Sequence, residues 1–172
     1  MRSLIPQVPG INILDGRAEA LPVPDACADA AWLGSVVHHL SDLEAAAREL
    51  RRALKPGAPV LVRNIFPGRC RQDLRVRFFP ETERSIDAYP SAERVCTVFA
   101  AAGFSLVTLR AVPQQSAANL AEFAARISRN ADSKLCGLSD QEFDQGMDRL
   151  RAAVAADPRQ PATSWMDFLV LA

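Results

Sequence analysis

The 172 residues contain no G-x-G, no G-x-S-x-G and no C-x-x-C. Without G-x-S-x-G there is no nucleophile elbow, so a serine or cysteine hydrolase is not expected. Without paired cysteines, neither a zinc site nor a redox couple is expected. Cys27, Cys70, Cys96 and Cys136 stand far apart. They read as small buried or half-buried thiols of a reducing cytoplasm. Charge of one sign is also lacking, because 20 basic residues balance 20 acidic ones. A nucleic-acid binder would show a basic excess, and so would a membrane-surface protein. No window approaches the ~18 continuous apolar residues of a spanning helix. Pro6 and Pro9 interrupt the start of the chain, so no secretory leader is expected. Internal repeats and low-complexity linkers are absent. What remains is a chain that is 49% hydrophobic, enough for one packed domain over residues 1–172.

Strand and helix signals alternate along the first hundred residues. Ile11–Leu14 is a short apolar run that stops at Asp15-Gly16, and it reads as a strand. Ala28–Ser35 reads as a second strand. Ser41–Leu54 is the strongest helix. Ser41 and Glu44 have capping-box spacing, and Leu43, Ala46, Ala47, Leu50, Ala53 and Leu54 make one stripe. Acids open that helix, bases close it, and Pro56-Gly57 stops it. Pro59–Phe66 and Phe104–Val112 follow as strands, separated by an irregular arginine-rich stretch and a helix over Ser91–Ala102. A further helix is expected over Ser116–Arg129, and another from the Ser139/Glu142 capping box. Ser164–Ala172, apolar on both faces, is expected as a central strand. The alternation means an α/β fold with a largely parallel sheet. In such sheets ligands bind beyond the carboxyl ends of the strands. The segments to search are therefore Asp15–Glu19, Gly34–His39 and Asn64–Gly68.

The residues in those segments form a pattern. Gly16, Ala18, Glu19, Leu21, Pro22 and Asp25 come first, then His38, His39, Leu40 and Asp42. Glu49, Leu50, Arg52, Leu54, Lys55, Pro56 and Gly57 complete it. In this order and spacing they resemble the class I S-adenosylmethionine-dependent methyltransferases, in particular a small-molecule group with G-x-A-E-x-L-P-x-x-D, HH-L-x-D and E-L-x-R-x-L-K-P-G-G. Ala58 departs, standing where a second glycine is usual. The resemblance covers roughly residues 11–112, and the last strand extends it. It implies a Rossmann-like sheet of seven strands with the last antiparallel. Ile11–Leu14 would be the third strand, Ala28–Ser35 the fourth and Pro59–Phe66 the fifth. Phe104–Val112 and Ser164–Leu171 would be the sixth and seventh. The glycine-rich loop and the ribose-gripping acid of the family belong to the first two strands, which this sequence does not show. The chain is thus expected to be an N-terminally truncated member, through a start codon set too late rather than a true deletion. Residues 116–157 would be a helical insertion before the last strand, capping the acceptor pocket or making a subunit interface.

The resemblance also assigns roles. Ala18 would offer its backbone N–H to the adenine of S-adenosylmethionine, and Arg17 or Glu19 would reach the ring edge. Glu19 reads equally well as a solvated loop acid. Leu33, Gly34 and Ser35 would lie beside the methionine part, unless Gly34 merely serves a strand-to-helix turn. His39 is the candidate catalytic base, against a purely positional role packing the turn. Adjacent His38 and His39 diverge, so no metal is expected there. Arg69, Arg71, Arg75, Arg77 and Arg84 would form an anion-binding lid or an ion-paired surface with Asp73, Glu81 and Glu83. The implied partner is a small-molecule methyl acceptor, with no nucleic acid and no membrane. Exposed strand edges suggest a homodimer. The alternative function is a non-catalytic, methyltransferase-like interaction subunit that has lost cofactor binding.

Overall fold

The computed structural model describes residues 8–172. Four strands form one sheet: β1 (Ala31–Gly34), β2 (Val60–Asn64), β3 (Leu106–Ala117) and β4 (Ala162–Leu171). Their order is β1-β2-β4-β3. β1 and β2 pair in parallel, and β4 runs antiparallel to both of its neighbours. Three strands therefore point one way, and the returning last strand lies between two of them. The last strand is antiparallel, as the resemblance implies, and its place between β2 and β3 makes two of the three ladders antiparallel. Direct pairing places Trp32, Leu61 and Val170 in one row. Val62 and Leu169 project to the opposite face, as the alternation of strand side chains requires.

The helices are α1 (Leu43–Ala53), α2 (Leu74–Phe78), α3 (Glu83–Ile86), α4 (Ala92–Ala101), α5 (Leu120–Arg126), α6 (Ser133–Cys136) and α7 (Asp140–Ala156). α1 and α4 cover one face of the sheet. Leu43, Ala47 and Leu50 of α1 and Val95, Val98 and Phe99 of α4 pack on Val60, Val62, Leu169 and Leu171. A second apolar cluster joins α2, α5 and α7 through Phe78, Leu120, Phe123, Leu135 and Leu150. These helices thus form a cap beside the strand ends. Ion pairs tie it to the segment after β2: Arg75 to Asp132 at 2.5 Å, Arg84 to Glu142 at 2.5 Å and Arg149 to Glu81 at 2.6 Å. The arginine-rich stretch is therefore mostly ion-paired. Its partners are chiefly distant acids, and only Arg71 reaches one of those expected, Glu83 at 3.9 Å. No helix among the described residues is long and apolar enough to cross a membrane.

Several boundaries differ from expectation for identifiable reasons. Residues 11–14 form no strand, and Ile11, Ile13 and Leu14 are 61%, 44% and 57% exposed. A strand needs a ladder partner for its backbone groups. Among the described residues the outer edge of β1 has no neighbour to supply one. Ala28 makes only an isolated bridge to Leu54, and the strand proper starts at Ala31. The helix expected from Ser116 begins at Leu120, because β3 continues along β4 as far as Ala117 and Asn119 caps the helix. The Ser41/Glu44 capping box does not form. Asp42 is the N-cap, its Oδ1 accepting from Ala45 N at 2.8 Å, while Ser41 turns to Glu19. The Ser139/Glu142 box does form and opens α7.

Candidate functional site

The carboxyl ends of β1, β2 and β3 meet the cap around a cavity of about 390 Å³. Ser35 borders it directly after β1. It holds φ +53°, the left-handed region that costs a non-glycine residue about 1 kcal/mol or more. The chain then makes a 3₁₀ turn over Val37–His39, whose Val37 is buried and whose two histidines line the cavity.

His38 is held on three sides. Its Nδ1 lies 3.1 Å from Asn64 Oδ1. Its ring stacks on Tyr89 at 4.1 Å with 15° between planes, and it meets His39 at 4.1 Å. Asn64 is fully buried and donates its amide Nδ2 to the carbonyl of Ile65 at 2.8 Å. That bond fixes Asn64 Oδ1 as the acceptor. Nδ1 of His38 therefore carries the proton, and Nε2 keeps a lone pair. Burial pushes the His38 pKa down, with the Asn64 bond opposing it. Near neutral pH the ring is thus a neutral imidazole. His39 is exposed, and its ring makes no hydrogen bond among the described residues.

The other charged groups come from three directions. Arg63 of β2 donates Nε to Gln114 Oε1 at 2.9 Å, Nη2 to the same oxygen, and Nη1 to Ser35 Oγ at 3.1 Å. Arg75 of α2 places Nε 2.5 Å from Asp132 Oδ2 and lies over the Phe123 ring at 5.7 Å. Lys134 reaches Asp132 Oδ1 at 3.3 Å. Asp73 also lines the cavity, but its Oδ1 caps α2 through the Arg75 and Val76 amides.

The residues expected to hold the cofactor do not gather in one place. Of Arg17, Ala18, Glu19, Leu33, Gly34 and Ser35, only Ser35 lines this cavity. Glu19 accepts from Ser41 Oγ at 2.8 Å and pairs with Arg17 at 3.4 Å. The Ser41 bond, then its own backbone N–H, then the Arg17 charge hold its pKa at about 2. Its carboxylate is thus engaged beside the start of α1. Leu33 packs into the sheet core. A Cβ on Gly34 would stand 2.7 Å from Trp32 Nε1, so this glycine makes room for the indole. A nucleoside-bearing cofactor needs converging donors and an open cradle. Among the described residues expected to form it, Glu19 is engaged by Ser41 and Arg17, and Gly34 makes room for Trp32. The residues that the sequence did not single out are Arg63, Gln114, Asp132 and Lys134, while Asn64 opens one of the segments expected to border a ligand. The available signal was the polar pair Arg63-Asn64 ending the apolar run of β2, where open α/β sheets place ligands.

Comparisons with known proteins bear on the fold and the family. The family model described as "Methyltransferase domain" matches residues 2–62. The chain is similar to a ubiquinone/menaquinone biosynthesis C-methyltransferase of Caulobacter sp. (strain K31), 45% identical over 53 residues, which is 31% of this chain and 21% of that protein. It is similar as well to a malonyl-[acyl-carrier protein] O-methyltransferase of Serratia marcescens, 32% identical over 97 residues, 56% of this chain and 38% of that protein. The chain therefore spans well under half the length of these curated relatives. Among solved structures it resembles a protein of Anabaena variabilis ATCC 29413 named as a methyltransferase from an antibiotic biosynthesis pathway. The TM-score is 0.70 at 14% identity, covering 98% of this chain and 76% of that one. A Bacillus halodurans C-125 protein, also named as a methyltransferase, gives 0.53 at 13% identity over 94% and 76%. At these identities the likeness establishes the fold.

Proposed function

We propose that this chain is a class I S-adenosylmethionine-dependent methyltransferase whose cavity receives a small-molecule methyl acceptor, a reading supported by the methyltransferase domain model over residues 2–62 and by the curated methyltransferases it resembles. Family and fold imply S-adenosylmethionine as the methyl donor. That cofactor supplies an electrophilic methyl group. The chain's own residues have two tasks, holding the acceptor and taking the proton it releases. The observation that carries the reading is His38, which lines the cavity with its Nδ1 fixed on buried Asn64 and its Nε2 without a hydrogen-bond partner among the described residues. A neutral imidazole oriented from behind is suited to general-base work. His39 lies against the His38 ring and helps to fix its plane. Alignment of the nucleophile supplies much of the acceleration in such a displacement, and the polar groups that line the cavity would hold the acceptor for it.

Calorimetric titration with S-adenosylmethionine tests the reading. Saturable binding supports it. Absence of binding, by this chain and by a form extended upstream, overturns it. In a methyl-transfer assay on a panel of small acceptors, His38→Gln is expected to lose about 10²-fold or more and His39→Gln far less.

A second reading, a non-catalytic interaction subunit, is favoured by the bare face of the sheet. Trp32 is 57% exposed there, with its ring 5.9 Å from Phe168, and among the described residues β1 has an open edge. That reading expects a homodimer that Trp32→Arg dissociates in sedimentation.

A further inference from the structure

We propose that the acceptor taken by this cavity carries a carboxylate, and that Arg63 is the residue that holds it. The inference rests on the reading of the cavity as the acceptor site, and charge bookkeeping around the wall leads to it. Three cations and two carboxylates line the cavity, with His38 neutral. Both carboxylates are already engaged. Asp132 is shared by Arg75 and Lys134. Asp73 is 1% exposed and caps α2. Arg63 has no carboxylate partner among the described residues, and its hydrogen bonds go to neutral acceptors only.

Those neutral contacts also orient it. A guanidinium has five N–H donors. Three of them point at Gln114 and Ser35, which fixes the plane of the group. One N–H on each terminal nitrogen is left over. Two donors on a rigid planar group suit the two oxygens of a carboxylate, and such charge-assisted pairs are the strong ones. Gln114 comes from β3 and Ser35 from the turn after β1, so the arginine of β2 is braced from both flanks. Its neighbour in sequence, Asn64, orients His38. One strand end thus supplies both the cation and the group that orients the base. A molecule anchored by its carboxylate at Arg63 can present a hydroxyl or amine to the same cavity that His38 lines. Nε2 of His38 would be the acceptor for the proton of that hydroxyl or amine.

Two-dimensional ¹H–¹⁵N spectra of the side-chain arginine Nε–H groups test this, with succinate as the probe and succinamide as its uncharged control. Succinate is expected to shift the Arg63 Nε–H signal saturably, and succinamide to leave it in place. Arg63→Gln is expected to weaken succinate binding by about tenfold or more, the loss of one charged hydrogen-bonded pair. Arg63→Lys should recover part of it, and Arg48→Gln on the outer side of α1 should change nothing. No succinate binding, equal binding of succinamide, or full binding by folded Arg63→Gln each overturns the proposal. S-adenosylmethionine added to the same sample separates the two claims. Succinate binding without cofactor binding, by this chain and by the form extended upstream, removes the methyltransferase reading and leaves the anion site standing. The converse removes only the carboxylate.

Discussion

Against the covered face of the sheet, α1 and α4 press Leu50, Val95 and Phe99 onto Val60, Val62 and Leu169. Beyond the strand ends, α2, α5 and α7 gather Phe78, Phe79, Phe123 and Leu150, with only Ala117 and Ala162 contributed by strands. In the first region a helical stripe meets an alternating strand, and many interchangeable aliphatic contacts share the work. The second region depends on single close fits. A Cβ on Gly146 of α7 would lie 2.0 Å from the Phe79 ring, which also stacks on Phe143. The difference teaches that the sheet region is stabilised by pattern and the cap by particular shapes, with the polar cavity where the two meet.

Four changes break or sharpen that contrast. The largest effect is expected from Phe99→Ala, which empties the middle of the sheet-side cluster. It should cost about 3–5 kcal/mol in chemical denaturation and unfold the whole chain in one step. Gly146→Ala should cost about 1–3 kcal/mol, because the Phe79 ring must move. Hydrogen exchange should rise in α7 and not in α1. An equal rise in both would show that the two regions unfold as one unit.

The third change concerns the boundary. Burial depresses the folded pKa of His38 below its unfolded value of about 6.5. The unfolded chain therefore binds the proton more readily. The contribution is fully present above pH 6.5 and is lost as pH falls through the folded value. Denaturation midpoints measured from pH 7.5 downward should fall, and His38→Phe should flatten that dependence. The smallest effect separates two neighbours at the start of α1. Asp42→Ala should cost about 1 kcal/mol as a lost N-cap. Ser41→Ala should cost only a few tenths, since Ser41 caps nothing and instead braces Glu19, both on the surface.

The same division governs what could be read from the sequence. β2, α1 and α4 were legible because their apolar spacing is a direct consequence of the face they bury. α7 was legible from the reciprocal cap of Ser139 and Glu142. α2, α3 and α6 were not, because helices of four or five residues carry no period, and Asp73 and Asp132 cap two of them in ways that resemble any acidic loop. β3 runs past its expected end because its length follows from its partner β4 rather than from its own residues. In the site, the adjacent histidines drew notice, yet the structure separates them. His38 has the buried amide behind it, and His39 has none. Arg63 and Asp132 became neighbours of that histidine only through folding across 25 to 94 positions of chain, a relation that no local pattern records.

The ties between the cap and the segment after β2 have a consequence for how the two regions respond to salt. Arg75–Asp132, Arg84–Glu142 and Arg149–Glu81 are latches made of charge at or near the surface. Apolar contacts of the sheet layer are indifferent to modest salt, whereas partly exposed ion pairs weaken as the screening length shrinks from about 10 Å at 0.1 M to about 3 Å at 1 M. Ionic strength is therefore a dial that acts on the cap and leaves the foundation alone: added salt slackens these ties before it touches the sheet layer.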